Sequence, residues 1–426
     1  MDSKAAADRV LTGLDDIRSE LEAFHRDLHA HPELSHQEHR TAARVAEHLE
    51  GWGYEVCAGV GGTGVVGVLA GGDEPAVLLR ADMDALPVRE DTGLPYASTV
   101  TATDASGREV PVAHACGHDL HVTCLLGAAR LMAAGRGPWQ GALVVLFQPA
   151  EETGDGADRM LADGLTDRVP RPGVAFAQHV LPYPAGWVGT RAGSFLSAAD
   201  NLTVTLHGRG AHGSAPQAAI DPVVMAAMTV VRLQTIVSRE LAATRPAVVT
   251  VGSIQSGSSA NVIPDSAELL INVRTYDEDS RQRVLDDVRR IVRAECDASG
   301  ATREPDFEPG GRFPPTVNDE AVTAEVAAAF TARFGQRAVT AEPQSASEDF
   351  SRLPDAFGVP YTYWGIGCVD PRTYRTAQRR GTIAQDVPVN HSGRFAPVVQ
   401  PTLDTGVSAL VTAALTRLRP PADGKT

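Results

Sequence analysis

The sequence predicts an α/β protein: a mostly parallel sheet that carries the chemistry, interrupted by an inserted unit of ferredoxin-like βαββαβ order. Three observations carry this. The short apolar runs Ala76 to Leu79, Ala142 to Phe147 and Val174 to Gln178 are continuous, as strands buried on both faces should be. Helical patterns separate them, which favours parallel pairing. From Ala199 onward apolar and polar residues alternate, so a half-buried sheet of another kind begins there.

The chain of 426 residues is 43% apolar and 5% aromatic, which fits one large or two ordinary globular domains. Its 38 basic and 53 acidic residues leave a net charge of −15. That balance argues against nucleic-acid and anionic-membrane partners. The five cysteines are scattered and odd in number, too few for a disulfide framework, so a reducing compartment is expected. The N-terminus lacks the apolar stretch of a signal peptide, and no run approaches the ~18 apolar residues of a membrane span. A cytoplasmic protein is the expectation.

Taken in order, Leu14, Ile17, Leu21, Phe24 and Leu28 form one helical stripe over 14–30, ended by Pro32. His25 and His29 share a face of this helix and read as surface or packing residues, since no acidic third ligand is in register. A second helix is predicted over about 36–50. Strands at 65–69 and 76–79 flank the turn Gly71-Gly72-Asp73. After the second of these comes Arg80-Ala-Asp-Met-Asp84, two carboxylates at the C-terminal end of a strand, where open α/β sheets bind ligands. In isolation an Asp-x-Asp reads as turn capping.

The octet His114-Ala-Cys-Gly-His-Asp-Leu-His121 offers a thiol, three imidazoles and a carboxylate. Cys116 and His118 lie two apart and can aim at one point, a pairing that suits zinc and its neighbours. The same residues also fit a buried Cys and a satisfied His opening the helix marked by Val122, Leu125, Leu126 and Ala129. The strand at 142–147 ends in Glu151-Glu152, either a ligand beside a substrate-facing acid or an acidic first helical turn. The strand at 174–178 ends in His179, which alone reads as a packed strand-end residue. Acidic or metal-competent groups at the ends of all three strands are unlikely to coincide by chance, and together they imply a metal site along one sheet edge.

The second unit is predicted from a strand at 199–207, a helix opened by Asp221-Pro222 and running to about 239, strands at 247–254 and 267–274, a helix over 279–297 and a short strand near 301–307. Domain bounds of 1–194, 195–307 and 308–426 follow. Beyond them lie a helix over 319–334, a strand at 361–365, a polar loop at 369–388 that delivers Asn390-His391-Ser392-Gly393, and a final helix over 401–418.

The ordered series Arg80-Ala-Asp-Met-Asp-Ala-Leu-Pro87, His114-Ala-Cys-Gly-His-Asp119, Phe147-Gln-Pro-Ala-Glu-Glu152, Gly210-Ala-His-Gly213, Asn261-Val-Ile-Pro264 and Ser347-Glu-Asp-Phe350 resembles the M20 metallopeptidase family. Within it, the chain is most similar to the amidohydrolase subfamily of hippurate hydrolases, N-acyl-amino-acid amidohydrolases and auxin-conjugate hydrolases, over about residues 20 to 415. The resemblance implies a metallohydrolase catalytic domain with an inserted lid and dimerisation domain, holding two divalent metal ions per subunit, Mn2+ or Zn2+ before Co2+ or Ni2+. It implies Cys116, His118, Glu152, His179 and His391 as ligands, Asp84 as the aspartate behind them and Glu151 as general base. It further implies His212, Asn261 and Arg274 as residues that reach the substrate, the histidine acting across a homodimer. Asp82 stands where other branches carry a ligating histidine.

Five ligands are too many for one tetrahedral structural site and too few to close two, so a paired centre with open positions is the expected count. The expected reaction is hydrolysis of the amide of a small N-acyl amino acid, with Arg274 and Asn261 receiving its free carboxylate. A dipeptidase or carboxypeptidase with the same centre, or a noncatalytic metal-dependent binding protein, are the alternatives.

Overall fold

A computed structural model describes residues 2–71 and 76–418. Gly72 and Asp73 of the expected turn lie outside the described residues. Two compact units result. One runs to Gly193 and takes up again at Val317–Glu342 and from Asp349 onward; the other holds Ser194–Thr316 and Pro343–Glu348.

The first unit is built on an eight-stranded sheet. Its middle is four parallel strands in the spatial order Leu143–Gln148, Ala76–Asp82, Pro172–Pro184, Tyr361–Val369. An antiparallel pair, Glu55–Val60 and Gly64–Leu69, extends one side. Val188–Thr190 and Ala338–Thr340 extend the other. Leu143–Gln148 and Ala76–Asp82 are buried at every position, as the unbroken apolar runs require. Burying a side chain such as Phe147, Phe176 or Leu78 contributes roughly 2 kcal/mol each.

The helix His118–Ala134 follows the strand Ala76–Asp82 and precedes Leu143–Gln148, so it is the crossover that makes them parallel. It is apolar on nearly all sides because it is enclosed on nearly all sides. At Gly127 a Cβ would stand 2.8 Å from both Leu21 and Val407, so helices Leu14–Ala30 and Val399–Arg417 close on it from two directions. This crossing needs a residue without a side chain.

The second unit has the chain order strand Ala198–His207, helix Pro222–Thr235, strands Ala247–Gln255 and Ser266–Thr275, helix Glu278–Ala298, strand Asp306–Phe313. The four strands pair antiparallel with Ala198–His207 and Ser266–Thr275 in the middle. Val204, Leu206, Leu269, Ile271 and Val273 pack against Met225, Leu233, Val284, Val288 and Ile291 of the helices.

Two expectations need correction. The last strand of this unit lies at Asp306–Phe313, beyond the expected 301–307. Pro309 and Gly310-Gly311 read as loop signals, but the strand pairs on one side only, where a missing N–H is tolerated. The segment 369–388 is no loop: it holds helices Pro371–Arg380 and Ile383–Asp386. Asp370 caps the first by accepting from the Arg372 and Thr373 N–H groups, and Pro371 fills its first position. Among the described residues no helix is long and apolar enough to cross a membrane.

Candidate metal centre

Four segments of the first unit deliver side chains to one place. The turn at Gly117 has φ +88°, a conformation that favours glycine, and a Cβ there would strike Val180 at 2.3 Å. It lets Cys116 end one segment and His118 open a helix with both side chains converging. Cys116 Sγ lies 3.4 Å from His179 Nε2. Ligand atoms of Cys116, His118 and His179 fall within 4.8 Å of one another, as do those of Cys116, Glu152 and His391, and those of His118, Glu151 and Glu152. His391 enters on a left-handed residue, φ +69°, with its N–H donating to the Ala115 carbonyl at 2.8 Å. Its Nε2 lies 3.3 Å from Glu152.

The rings are aimed by their other nitrogens. His118 Nδ1 faces Asp84 at 3.2 Å, and His179 Nδ1 donates to the Val180 carbonyl at 2.7 Å. Each Nε2 lone pair is thereby turned into the cluster, the arrangement of metal-bound histidine. His118 Nε2 and Glu152 Oε1 are buried without a hydrogen-bond partner. Buried orphans cost roughly 1–3 kcal/mol each. Two such atoms within a cluster of thiol, imidazole and carboxylate fit a bound cation. The donor types suit Zn2+, Mn2+, Co2+ or Ni2+ rather than Ca2+.

Titration is shifted the same way. Hydrogen bonds donated to Cys116 and Glu152 hold His391 up at about 10. Burial opposes charge on His118, but Asp82, Cys116 and Asp84 outweigh it and hold its pKa well above the usual histidine range. Burial, with the Glu152 charge, pushes the Cys116 thiol up. Protons thus stand where a cation would draw electron density.

Asp84 accepts from Ser35 Oγ at 2.7 Å, from the Glu152 N–H at 3.0 Å and faces His118, so it orients two candidate ligand residues at once. Asp82 is committed elsewhere. One oxygen takes Arg80 Nη1 at 2.6 Å and the other His121 Nδ1 at 2.5 Å, while Arg80 also bonds Gln148 and Asp349. His121, one of the octet's three imidazoles but not an expected ligand, accepts the Val180 N–H at 2.9 Å and packs its ring 4.5 Å from that of His179. Its place three residues after His118, on the same helix face, was the signal for it. Asn390, whose amide donates to the carbonyls of Cys116 and Val180, gave no signal beyond adjacency to His391.

The expected substrate residues belong to the second unit. His212 pairs with Val262 in a two-stranded ribbon, and the Gly213 N–H donates to the Asn261 carbonyl at 2.8 Å, so His212 and Asn261 are brought together. The Ser214 N–H donates to His212 Nδ1 at 3.1 Å, which leaves Nε2 as the proton-bearing nitrogen of an exposed ring. Arg274 lies on Ser266–Thr275, its guanidinium fixed by the Ser345 carbonyl at 2.6 Å, Ser347 Oγ at 3.2 Å and Asn272 at 3.1 Å.

A parallel α/β sheet whose strand ends gather thiol, imidazole and carboxylate donors beside a further glutamate defines a metal-dependent hydrolase that acts on amide bonds. The chain belongs to peptidase family M20/M25/M40, whose profile matches residues 78–379. It is 37% identical over 375 residues to thermostable carboxypeptidase 1 of Saccharolobus solfataricus, covering 87% of this chain and 88% of that one. It is 38% identical over 342 residues to the hippurate hydrolase of Campylobacter jejuni, covering 79% and 85%. Among solved structures it is similar to the YXEP protein of Bacillus subtilis, a dinuclear metal binding peptidase from the M20 family. There the TM-score is 0.76 at 28% identity, covering 95% of this chain and 99% of that one.

Proposed function

We propose that the protein hydrolyses the amide bond of small N-acyl amino acids, releasing a carboxylic acid and a free amino acid. The observation that carries this is the inward-facing, partly unpartnered donor set of Cys116, His118, Glu152, His179 and His391 beside the buried acid Glu151. These five residues would hold two divalent cations, Mn2+ or Zn2+ in the first instance, which supply Lewis acidity toward the amide carbonyl and acidify water at neutral pH. Glu151, 5% exposed and 4.0 Å from His118 Nε2, takes the proton from the attacking water and returns it to the departing amine nitrogen. Asp84 keeps His118 and Glu152 in register for it.

His212, acting from the partner subunit, offers its Nε2–H to the oxyanion. Arg274, already fixed by three hydrogen bonds within its unit, pairs with the substrate carboxylate beside Asn261. In this reading the second unit, roughly 195–307 in the sequence, is the lid and the dimerisation domain of a homodimer. Val223, Val224, Met228 and Val231 stand exposed on its helix Pro222–Thr235, and Val248 and Ile254 on the edge strand Ala247–Gln255. A bare strand edge beside an apolar helix face favours pairing with a second copy. All five cysteines are free, which suits a reducing cytoplasm.

The resemblance to a carboxypeptidase supports a second reading, with a peptidyl group in place of the acyl group. A panel of N-acetyl, N-benzoyl and indoleacetyl amino acids set against dipeptides and longer peptides, after reconstitution with each metal, separates the two. Glu151→Gln keeps shape but cannot accept the proton, so kcat should fall by about 10²–10⁴ with metal still bound. Near wild-type turnover in that variant would sink the mechanism.

A further inference from the structure

Glu38 is wholly buried, lies just before the helix His39–Gly51 and is not among the donors described above. Its Oε1 accepts two backbone N–H groups, from His36 at 3.0 Å and from Ala150 at 2.8 Å. Both donors are left-handed: His36 has φ +67° and Ala150 φ +51°, and His391 completes the non-glycine residues of this kind among those described. Residues with a Cβ hold this conformation only where their surroundings enforce it. Thr63 Oγ1 seats the other carboxylate oxygen.

Ala150 is the residue from which Glu151 and Glu152 issue. Two residues on, the Glu152 N–H is held by Asp84, whose same oxygen takes Ser35 Oγ. The chain carrying Glu151 is therefore pinned on both sides by buried carboxylates, and the segment 33–38 touches both pins. Its Glu33 carbonyl accepts the Ala85 N–H at 2.8 Å, tying that segment to the strand end.

We propose that Glu38 is a positioning residue for the reaction: by clamping Ala150 in its left-handed turn, it sends Glu151 and Glu152 in their two separate directions. This rests on the reading of Glu151 as base and Glu152 as ligand. The clamp needs an acceptor at a fixed reach, not a charge. Burial, with the Asp84 charge adding to it, pushes the Glu38 carboxyl up to about 7, in keeping with a role that a neutral group fills.

The test sets Glu38→Gln, which keeps the acceptor, against Glu38→Asp, which keeps the charge and withdraws the acceptor by one methylene. Mn2+ affinity of the metal-free protein is read by titration calorimetry, and kcat and KM at saturating Mn2+. Glu38→Asp should bind Mn2+ about tenfold more weakly and lose about 100-fold in kcat with KM within about threefold of wild type. Glu38→Gln should stay within about threefold on all counts. Adding Ala150→Gly to Glu38→Asp should recover at least about tenfold in kcat, because glycine holds a positive φ unaided.

A Glu38→Asp protein that only melts earlier, a Glu38→Gln protein as damaged as Glu38→Asp, or no recovery with Ala150→Gly would each overturn the proposal. Should Glu38→Asp not fold, Thr63→Val unseats the other oxygen at nearly constant volume and should lower kcat about fivefold, on the same misplacement argument; an unchanged kcat overturns the proposal. Glu151→Gln belongs in the series. If it is active, both readings fall; if it is silent while Glu38→Asp behaves as wild type, this one alone falls.

Discussion

Two histidine and carboxylate clusters sit back to back at the start of the helix His118–Ala134. On one side are Cys116, His118, Glu152, His179 and His391. On the other are His25, His29 and Asp119, all buried, with Glu90 beside them. Both hold three or more metal-competent side chains, yet they differ in the donors they offer. In the second cluster His29 meets Asp119 through Nδ1 at 2.7 Å and Glu90 through Nε2 at 3.1 Å, so both ring nitrogens are used, each on a carboxylate. Burial pushes the neighbouring His25 and His114 down, the latter to about 4, so they add no charge. In the first cluster the ring N–H groups are spent on Asp84 and a carbonyl, and acceptors are left facing each other. His25 Nδ1 and both His114 nitrogens are also buried without a hydrogen bond. The clusters therefore differ in donor type: the first sets a thiol and two glutamates beside its unpartnered His118 Nε2, whereas the second offers Asp119, already held by His29.

That contrast can be broken at either cluster. The largest effect is expected at Asp119→Asn, which strips the buried imidazolium of a counter-charge and should cost about 3–5 kcal/mol in urea unfolding while leaving metal stoichiometry unchanged. Loss of metal instead would mean that the two clusters act as one. Next comes Cys116→Ala. The metal-free form should unfold as wild type does, but the stabilisation given by metal at 100-fold over its Kd, about 2.7 kcal/mol, should vanish. A wild-type rise in Tm on adding Mn2+ or Zn2+ would remove Cys116 from the ligand set.

The smallest effect is one of pH. Burial lowers the His29 pKa, but its hydrogen bonds to Asp119 and Glu90 outweigh it and hold the group up at about 10. A folded pKa above the unfolded value of about 6.5 gives stability that is complete below pH ~6.5 and is lost as pH rises toward 10. The metal-free wild type should therefore lose more stability than His29→Gln between pH 6.5 and 9.5, at least about 1 kcal/mol or 2–4 °C in Tm. Parallel curves would show that His29 carries no extra proton in the fold.

The strands were legible in the sequence because burial on both faces leaves continuous apolar runs, and the candidate ligands because they end those runs. Less legible was whatever depends on backbone conformation or on distant pairing. Nothing local marks Ala150 as left-handed, and the reach of Glu38 across 112 positions to its N–H leaves no periodic trace. His25 and His29 were expected at the surface or in packing; they are packed, and the acid that completes the set, Asp119, comes from the octet itself. The helix Pro371–Arg380 reads as a loop in the sequence because it buries only Ala377, so no apolar stripe announces it, and its Asp-Pro opening is the one local sign of a helix start.

The pinch at Gly127 ties remote packing to chemistry. Nine residues, or about 14 Å of helix axis, separate it from His118, and between them the rod is enclosed too tightly to bend. A methyl group added at 127 has to slide or tilt the whole rod, and its far end carries a ring that must meet its neighbours to within tenths of an ångström. Random mutagenesis screened for lost hydrolysis should accordingly return substitutions at this waist, in Leu21 and Val407 as well as Gly127, alongside those in the candidate ligands.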